Sequence, residues 1–368
     1  MSRRPYIHRL LVLPLALGVV ASTAAHATAA PPARIVPGVD IAGPDAASYA
    51  RAVNNRGQVL LSGRALWQDG RYRDLGSLGG TYTGPAALND EGEVVGESEL
   101  AGGAVHAFRW SQGRMTDLGT LGGPSSVATS IGAGGDVTGR SALPDGTEHV
   151  FHWRQGVLTD TGIPSGSGSR MFVNARGQIA ATHLSDDLSV ERAFLWDHGQ
   201  VTEIPSFGGS AVIVSDINDR GEVVGQATDA AGEFHAFRWW RGRMTDLGTL
   251  GGAESFAADI NNSGQIAGTS GTGQGDRAFR WQNGVMTGLG DRSTATAINE
   301  HGDVAGDRLT KDGTRGAVWR GNRELTLGAL GRELSTAYDI NDAGLAVGLT
   351  SLDPFEPTRA TAWHTGLR

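Results

Sequence analysis

Three aspartates, Asp216, Asp259 and Asp339, each stand two residues before an asparagine, at Asn218, Asn261 and Asn341. Carboxylates brought together can hold a divalent cation or divide the roles of general acid and general base. Other copies of that position are Ala52, Ala87 and Ala297, so the alternative is structural pairing with arginines of neighbouring segments. A second series lies four residues before a tryptophan: His106, His149 and His235, but also Arg192, Arg277, Arg315 and Arg359. A position that accepts arginine is not a metal ligand. Its expected work is to donate a hydrogen bond to an acidic neighbour, with Asp74, Asp117, Asp160 and Asp246, seven residues after tryptophan, as acceptors. His149 and His152 are three apart, which on a strand sends them to opposite faces and rules out a shared ion. Pro144-Asp145-Gly146 and Lys311-Asp312-Gly313 are plain turns without the alternating acidic ligands of a calcium loop, and Ser165 to Ser169 is a flexible loop. No catalytic residue, metal or cofactor is assigned from these patterns.

The elements that must position these side chains form one repeat. Trp67, Trp110, Trp153, Trp196 and Trp239 are spaced 43 residues apart, and Trp281, Trp319 and Trp363 continue the series. A period of that size marks an array or a propeller, in which each unit hides its apolar face only against its neighbours. Each unit carries four short strand signals. Around Trp239 these are Ala211 to Asn218, Glu222 to Gln226, Phe234 to Trp239 and Met244 to Leu247. An Asn-x-x-Gly turn recurs at Asn54, Asn89, Asn174, Asn218, Asn261, Asn299 and Asn341, where an Asx side chain caps its own backbone and glycine takes positive φ. The copy at Gly132 lacks the asparagine. The last copy stops at the third strand, ending in Trp363, while Val39-Asp40-Ile41 stands at the front of the chain like an orphaned fourth strand. The spacing predicts an all-β fold: a β-propeller of eight four-stranded blades, closed by pairing of the N- and C-terminal strands. The tryptophans are expected to be inter-blade staples, each burying about 150–250 Å².

Composition bounds the partners. The chain has 31 basic and 39 acidic residues, net −8, with no basic stripe, so nucleic acid is not an expected partner. It has no cysteine, which excludes disulfides and thiolate metal sites. Residues 1–29 read as a signal peptide: Arg3 and Arg4, an apolar run from Leu10 to Val20, then Ala25-His26-Ala27 and Ala27-Thr28-Ala29. Ser2-Arg3-Arg4-Pro5-Tyr6-Ile7 also fits a twin-arginine signal. Residues 34–368 are then a single eight-repeat domain, expected to be secreted, monomeric and without a membrane span.

Val105-His106-Ala107-Phe108-Arg109-Trp110, Phe234-His235-Ala236-Phe237-Arg238-Trp239 and Met244-Thr245-Asp246-Leu247-Gly248-Thr249-Leu250-Gly251-Gly252 resemble the HAF-repeat family of bacterial extracellular proteins. That resemblance covers the mature chain and implies export; it brings no catalytic residues. The reading is a secreted, non-enzymatic binding or scaffold protein for a glycan or an envelope protein. The alternative is a metal-dependent glycan hydrolase or lyase using Asp216, Asp259 and Asp339 in the central channel, which requires them to converge within about 6 Å. Recognition is expected on the face of the variable links (182–190, 226–233 and 349–358), which they share with the Gly-Gly loops. Trp240, the tryptophan outside the register, and Phe207, which replaces a leucine in a Leu-Gly-Gly loop, are the aromatics expected to serve it, with Arg220 on the opposite rim.

Overall fold

In the Trp239 repeat the chain runs out along Gly208–Ile217, turns at Asn218, and returns antiparallel along Val223–Asp229. Phe234–Trp240 and Arg243–Asp246 complete a four-stranded meander. The turn shows why asparagine is needed. Asn218 Oδ1 accepts from the amides of Arg220 and Glu222, both at 3.0 Å, and the Gly221 amide donates to the Asn218 carbonyl at 3.0 Å. Gly221 sits at φ 78°, where a Cβ would be strained. The remaining Asn218 Nδ2 then donates to the Asn261 carbonyl of the next repeat at 3.1 Å, a bond aspartate could not supply.

This computed structural model describes residues 34–43, 48–166, 168–185, 191–321, 323–332, 334–351 and 357–366. The signal-peptide reading of 1–29 lies outside them, as do parts of the links 182–190 and 349–358. Strands dominate and no helix forms among the described residues, so none is long and apolar enough to cross a membrane. The meander recurs in sequence order as separate small sheets, with the Trp196 and Trp239 repeats joined by one parallel bridge, Glu191↔Ala211. The fold is a β-propeller. First strands of successive repeats touch one another, and Leu334–Ile340 touches Ala50–Val53.

The core lies between repeats. Trp239 clusters with Ala180, Ala193 and Leu195 of the repeat before it, Trp281 with Val224 and Ala236, and Trp110 with Leu60, Leu66 and Leu75. Trp67 clusters with Leu345, Val347, Ala360 and Ala362, from the far end of the chain. All eight in-register tryptophans are at most 9% exposed. At about 25 cal/mol per Å², each contributes roughly 4–6 kcal/mol as an upper bound.

At the termini, Val39 pairs with Ala362 and Asp40 with Thr361, which adds Val39–Asp40 as the fourth strand of the Trp363 sheet. Arg34–Val36 adds a strand that sequence reading overlooks: it runs parallel to Arg323–Leu327 on the preceding sheet. A further difference is a β-bulge in most first strands, at Arg51, Ala86, Thr129, Ser215, Ala258, Thr296 and Tyr338. Its signal was present in the second strand. A Cβ on Gly225 would meet the Ile213 carbonyl at 2.0 Å, and one on Gly268 the Phe256 carbonyl at 2.2 Å, so glycine stands opposite these bulges, whereas Leu61 stands opposite the one at Arg51.

Candidate functional site

The bulge determines what the three aspartates do, because it turns two consecutive residues of the inner strand away from the sheet core. Asp339 Oδ2 accepts from the Val53 amide and Oδ1 from that of Ile340, both at 2.8 Å. Asp259 accepts from Ile298 at 2.7 Å and Ile260 at 2.8 Å. Asp216 Oδ2 accepts the same Ile260 amide at 3.3 Å, so the Asp216 and Asp259 carboxyls share one backbone donor. The partners of these carboxylates are thus backbone amides of the next repeat, not the arginines expected as the structural alternative. Ser130 makes the equivalent bond to Val173 at 3.2 Å.

Burial pushes all three carboxyls up. Asp339 reaches about 6, Asp216 is raised, and Asp259 is raised furthest by burial and then by the Asp216 charge beside it. Each keeps a partly exposed edge. The three carboxylates staple three different seams: Asp216 holds the Trp281 repeat, Asp259 the Trp319 repeat and Asp339 the Trp67 repeat, although the Asp259 charge also helps to raise Asp339. Among the described residues no three His, Asp or Glu side chains are grouped to hold a metal ion.

The histidines find the aspartates that spacing assigns them. His106 Nδ1 lies 3.0 Å from Asp117, His149 Nδ1 2.9 Å from Asp160 and His235 Nδ1 2.8 Å from Asp246. Arginine substitutes directly, with Arg192 Nε 2.7 Å from Glu203. In the sheet shared by the two termini, Arg359 reaches Asp40 at 2.8 Å. Asp74 departs from the pattern and takes Arg64 at 3.2 Å, because Gly63 occupies the histidine position. His152 turns the other way, to Asp136 at 2.7 Å.

Sequence reading missed a third polar series, directly after the turn glycine. Glu93, Asp136, Glu222 and Asp303 are buried carboxylates, and each meets a third-strand cation or histidine: Arg109, His152, Arg238 and Arg320. Burial pushes Glu222 up, but Arg238, Asn218 and Arg220 outweigh it and hold the carboxyl below its ordinary value. The signal was available, since Gln58, Gln178 and Gln265 fill the same position with an isosteric amide.

Trp240 and Phe207 lie at opposite ends of their repeat, which corrects their assignment to one face. Val223 pairs with Trp239 and Trp240 with Arg243, so Trp240 borders the Arg241-Gly242 turn at the end that carries Asn218 and Arg220. Phe207 is at the other end, its amide 3.1 Å from the Thr228 carbonyl. It packs against the core and lies 6.4 Å from the His235 ring, filling the place of Leu121 and Leu250 in other repeats. Trp240 has different surroundings. The Arg241 guanidinium lies 4.5 Å and that of Arg238 5.3 Å from its ring. With Arg243 and Thr245 they line a shallow cavity of about 360 Å³.

No family model matches the chain, and no curated protein does. It is similar in structure to the β-propeller domain of the Trilobed protease from Pyrococcus furiosus, described as having an open velcro topology (TM-score 0.51, 11% identity, covering 77% of this chain and 92% of that one). It is also similar to Porphyromonas gingivalis dipeptidyl peptidase 4 (TM-score 0.54, 10% identity, 91% of this chain and 59% of that one). A third similar structure is a prolyl endopeptidase (TM-score 0.50, 12% identity, 76% of this chain and 49% of that one). At such identities the likeness is one of fold, and the chain spans only about half to three fifths of the two longer peptidases.

Proposed function

We propose that this chain is an exported, non-enzymatic binding or scaffold module of the HAF-repeat kind, recognising a glycan or another envelope protein. The observation that carries the reading is how its reactive side chains are used: Asp216, Asp259 and Asp339 cap backbone amides of the next repeat, and His106, His149 and His235 face aspartates. By contrast, Arg241 and Arg243 stand exposed beside Trp240. An indole flanked by guanidinium groups suits the face of a sugar and its acidic or hydroxyl substituents. The binding surface belongs, in this reading, to the Asn-turn end.

The scaffold we propose is an eight-bladed ring closed by the terminal strand. Two links support it beyond the Val39–Asp40 pairing: the Asn341 Nδ2 donates to the Asn54 carbonyl at 2.9 Å, and Trp67 is packed by the Trp363 repeat. The test of function is a glycan array and a pull-down from envelope extract, run with the wild type, Trp240→Ala and Phe207→Ala. Trp240→Ala is expected to lose the captured ligand and Phe207→Ala to keep it at matched folding. Capture that survives Trp240→Ala unchanged refutes the site.

A further inference from the structure

The chain has five tyrosines, and three of them, Tyr49, Tyr82 and Tyr338, come from the innermost segments of three neighbouring repeats. Tyr338 and Tyr49 meet edge to face at 5.9 Å. Arg51 Nη2 donates to the Tyr49 hydroxyl at 2.9 Å, and its guanidinium charge reaches Tyr82 on the next repeat. The Tyr82 hydroxyl in turn donates to Glu97 Oε1 at 2.9 Å, while the ring remains 49% exposed. Tyr338, Tyr49, Arg51 and Tyr82 therefore stand on neighbouring inner segments, with Glu97 of the adjoining second strand beside Tyr82.

The fold does not require these residues. Arg51 and Tyr338 occupy the bulged position, which elsewhere is Ala86, Thr129, Ser215, Ala258 or Thr296, and all of these repeats form the same sheet. A bulge re-aims the side chain it carries. Arg51 is exposed, it donates to the Tyr49 phenol, and it sits in a chain of net charge −8. Its guanidinium fork is thus left able to take a ligand carboxylate on two parallel N–H donors. The exposed Tyr82 face suits the C–H face of a sugar ring, and Glu97 accepts from a hydroxyl.

We infer that this inner wall binds a saccharide carrying a carboxylate, a uronate, with Arg51 holding the carboxylate and Tyr82 stacking on the ring. The inference rests on the glycan branch of the proposed function but uses a different place from Trp240. Calorimetric titration of the full chain with trigalacturonate, with the neutral maltotriose, and with a tripeptide bearing a free C-terminal carboxylate tests it. Trigalacturonate is expected to bind and maltotriose to bind at least about tenfold more weakly; Arg51→Ala and Tyr82→Ala each weaken the uronate by about tenfold or more. Melting temperatures matched to wild type show that the exposed substitutions leave the fold intact. Uronate binding that is unchanged in Arg51→Ala, or equal binding of the neutral sugar, overturns the inference. Loss of glycan binding in Trp240→Ala alone overturns it while sparing the proposed function. Arg51-dependent binding of the tripeptide without the uronate replaces the saccharide with a peptide, and a chain that binds no saccharide on the array or in titration loses both readings.

Discussion

Two seams of this propeller contrast. Where the Trp363 repeat meets the Trp67 repeat, every polar link of the series is present: Asn341 Nδ2 to the Asn54 carbonyl at 2.9 Å, the Asp342 amide to Asn55 Oδ1 at 2.9 Å, and the Val53 amide to Asp339 at 2.8 Å. Where the Trp153 repeat meets the Trp196 repeat, Gly132 has no side-chain amide to offer and neither Ala133 nor Ala175 has a side-chain acceptor. Among the described residues this seam keeps the Val173 amide on Ser130, the Thr129 hydroxyl on the Met171 carbonyl at 3.4 Å, and the His152 ring 4.9 Å from Trp196. The reason for the difference is covalent. The inner seam is tethered by the chain running through it, so losing two hydrogen bonds costs about 1 kcal/mol each. At the terminal seam the chain crosses from Val39–Asp40 to Ala50–Val53, and Val39–Asp40 is itself held to the Trp363 repeat by noncovalent links alone.

The largest expected effect follows from that noncovalent hold. Deleting residues 28–45 removes the Val39–Asp40 strand and the buried Val36, Ile41 and Ala42, and leaves the Trp363 sheet with an open edge. Several kcal/mol should be lost, seen as a fall of ten degrees or more in melting temperature, on the order expected from the burial removed. An equal deletion within an inner link should cost a fraction of that. Equal melting temperatures for the two deletions would dissolve the contrast between the seams.

Next come substitutions at the turn itself. Asn341→Ala strips the cap from the Leu345 amide and the donor to Asn54, and should cost about 2–3 kcal/mol in chemical denaturation. The obvious repair of the other seam should fail. A Cβ on Gly132 would come within 2.6 Å of the Asn174 carbonyl oxygen, so Gly132→Asn is expected to destabilise by roughly 1–2 kcal/mol instead of adding the missing link. A stabilised Gly132→Asn protein would mean that this seam can open to the common spacing.

The pH dependence separates the seams on a smaller scale. Asp339, at the terminal seam, is pushed up to about 6, and Asp307, one repeat back and bonded to the Ala337 amide, to about 7; burial is the main cause in both. A folded-state pKa above the unfolded value means that the folded protein binds protons more tightly. The associated stability is fully present below about 4 and is lost as pH rises through 6 and 7. The protein should therefore melt higher at pH 5 than at pH 8, by an increment on the order of 1 kcal/mol per group once partial exposure is discounted. Asp339→Asn should flatten that slope, measured by thermal scans between the two values.

Much of this was legible in the sequence, and for identifiable reasons. The tryptophan period and the Asn-x-x-Gly turn are local signals repeated often enough to read despite the Gly132 exception, and the orphaned Val39-Asp40-Ile41 carried its own register. The His–Asp clasps were legible because both partners keep fixed offsets from tryptophan. What failed depended on a strand irregularity. Plain alternation says nothing of a bulge, and without the bulge Asp216, Asp259 and Asp339 read as channel groups in search of a ligand or an arginine. The face of Trp240 was misread for another reason: it needs the hairpin register, Trp240 opposite Arg243, to show that it shares an end with Asn218.

The smallest expected effect is the most discriminating. His235–Asp246 and Arg359–Asp40 are the same clasp between third and fourth strands, one inside the chain and one joining its two ends. Both are partly exposed, so each pair alone should couple by only about 0.2–1 kcal/mol in a double-mutant cycle. At the terminal seam, however, Asp40 also accepts from the Ala42 amide at 2.9 Å, just as Asp246 does from Gly248 at 2.7 Å, and there the clasp holds the strand that completes the Trp363 sheet from the other end of the chain. Coupling between Arg359 and Asp40 should therefore exceed that between His235 and Asp246. If the two cycles agree, the clasp is indifferent to whether it joins neighbouring strands or the two ends of the chain, and the stability of the terminal seam resides in its buried apolar contacts and backbone bonds alone.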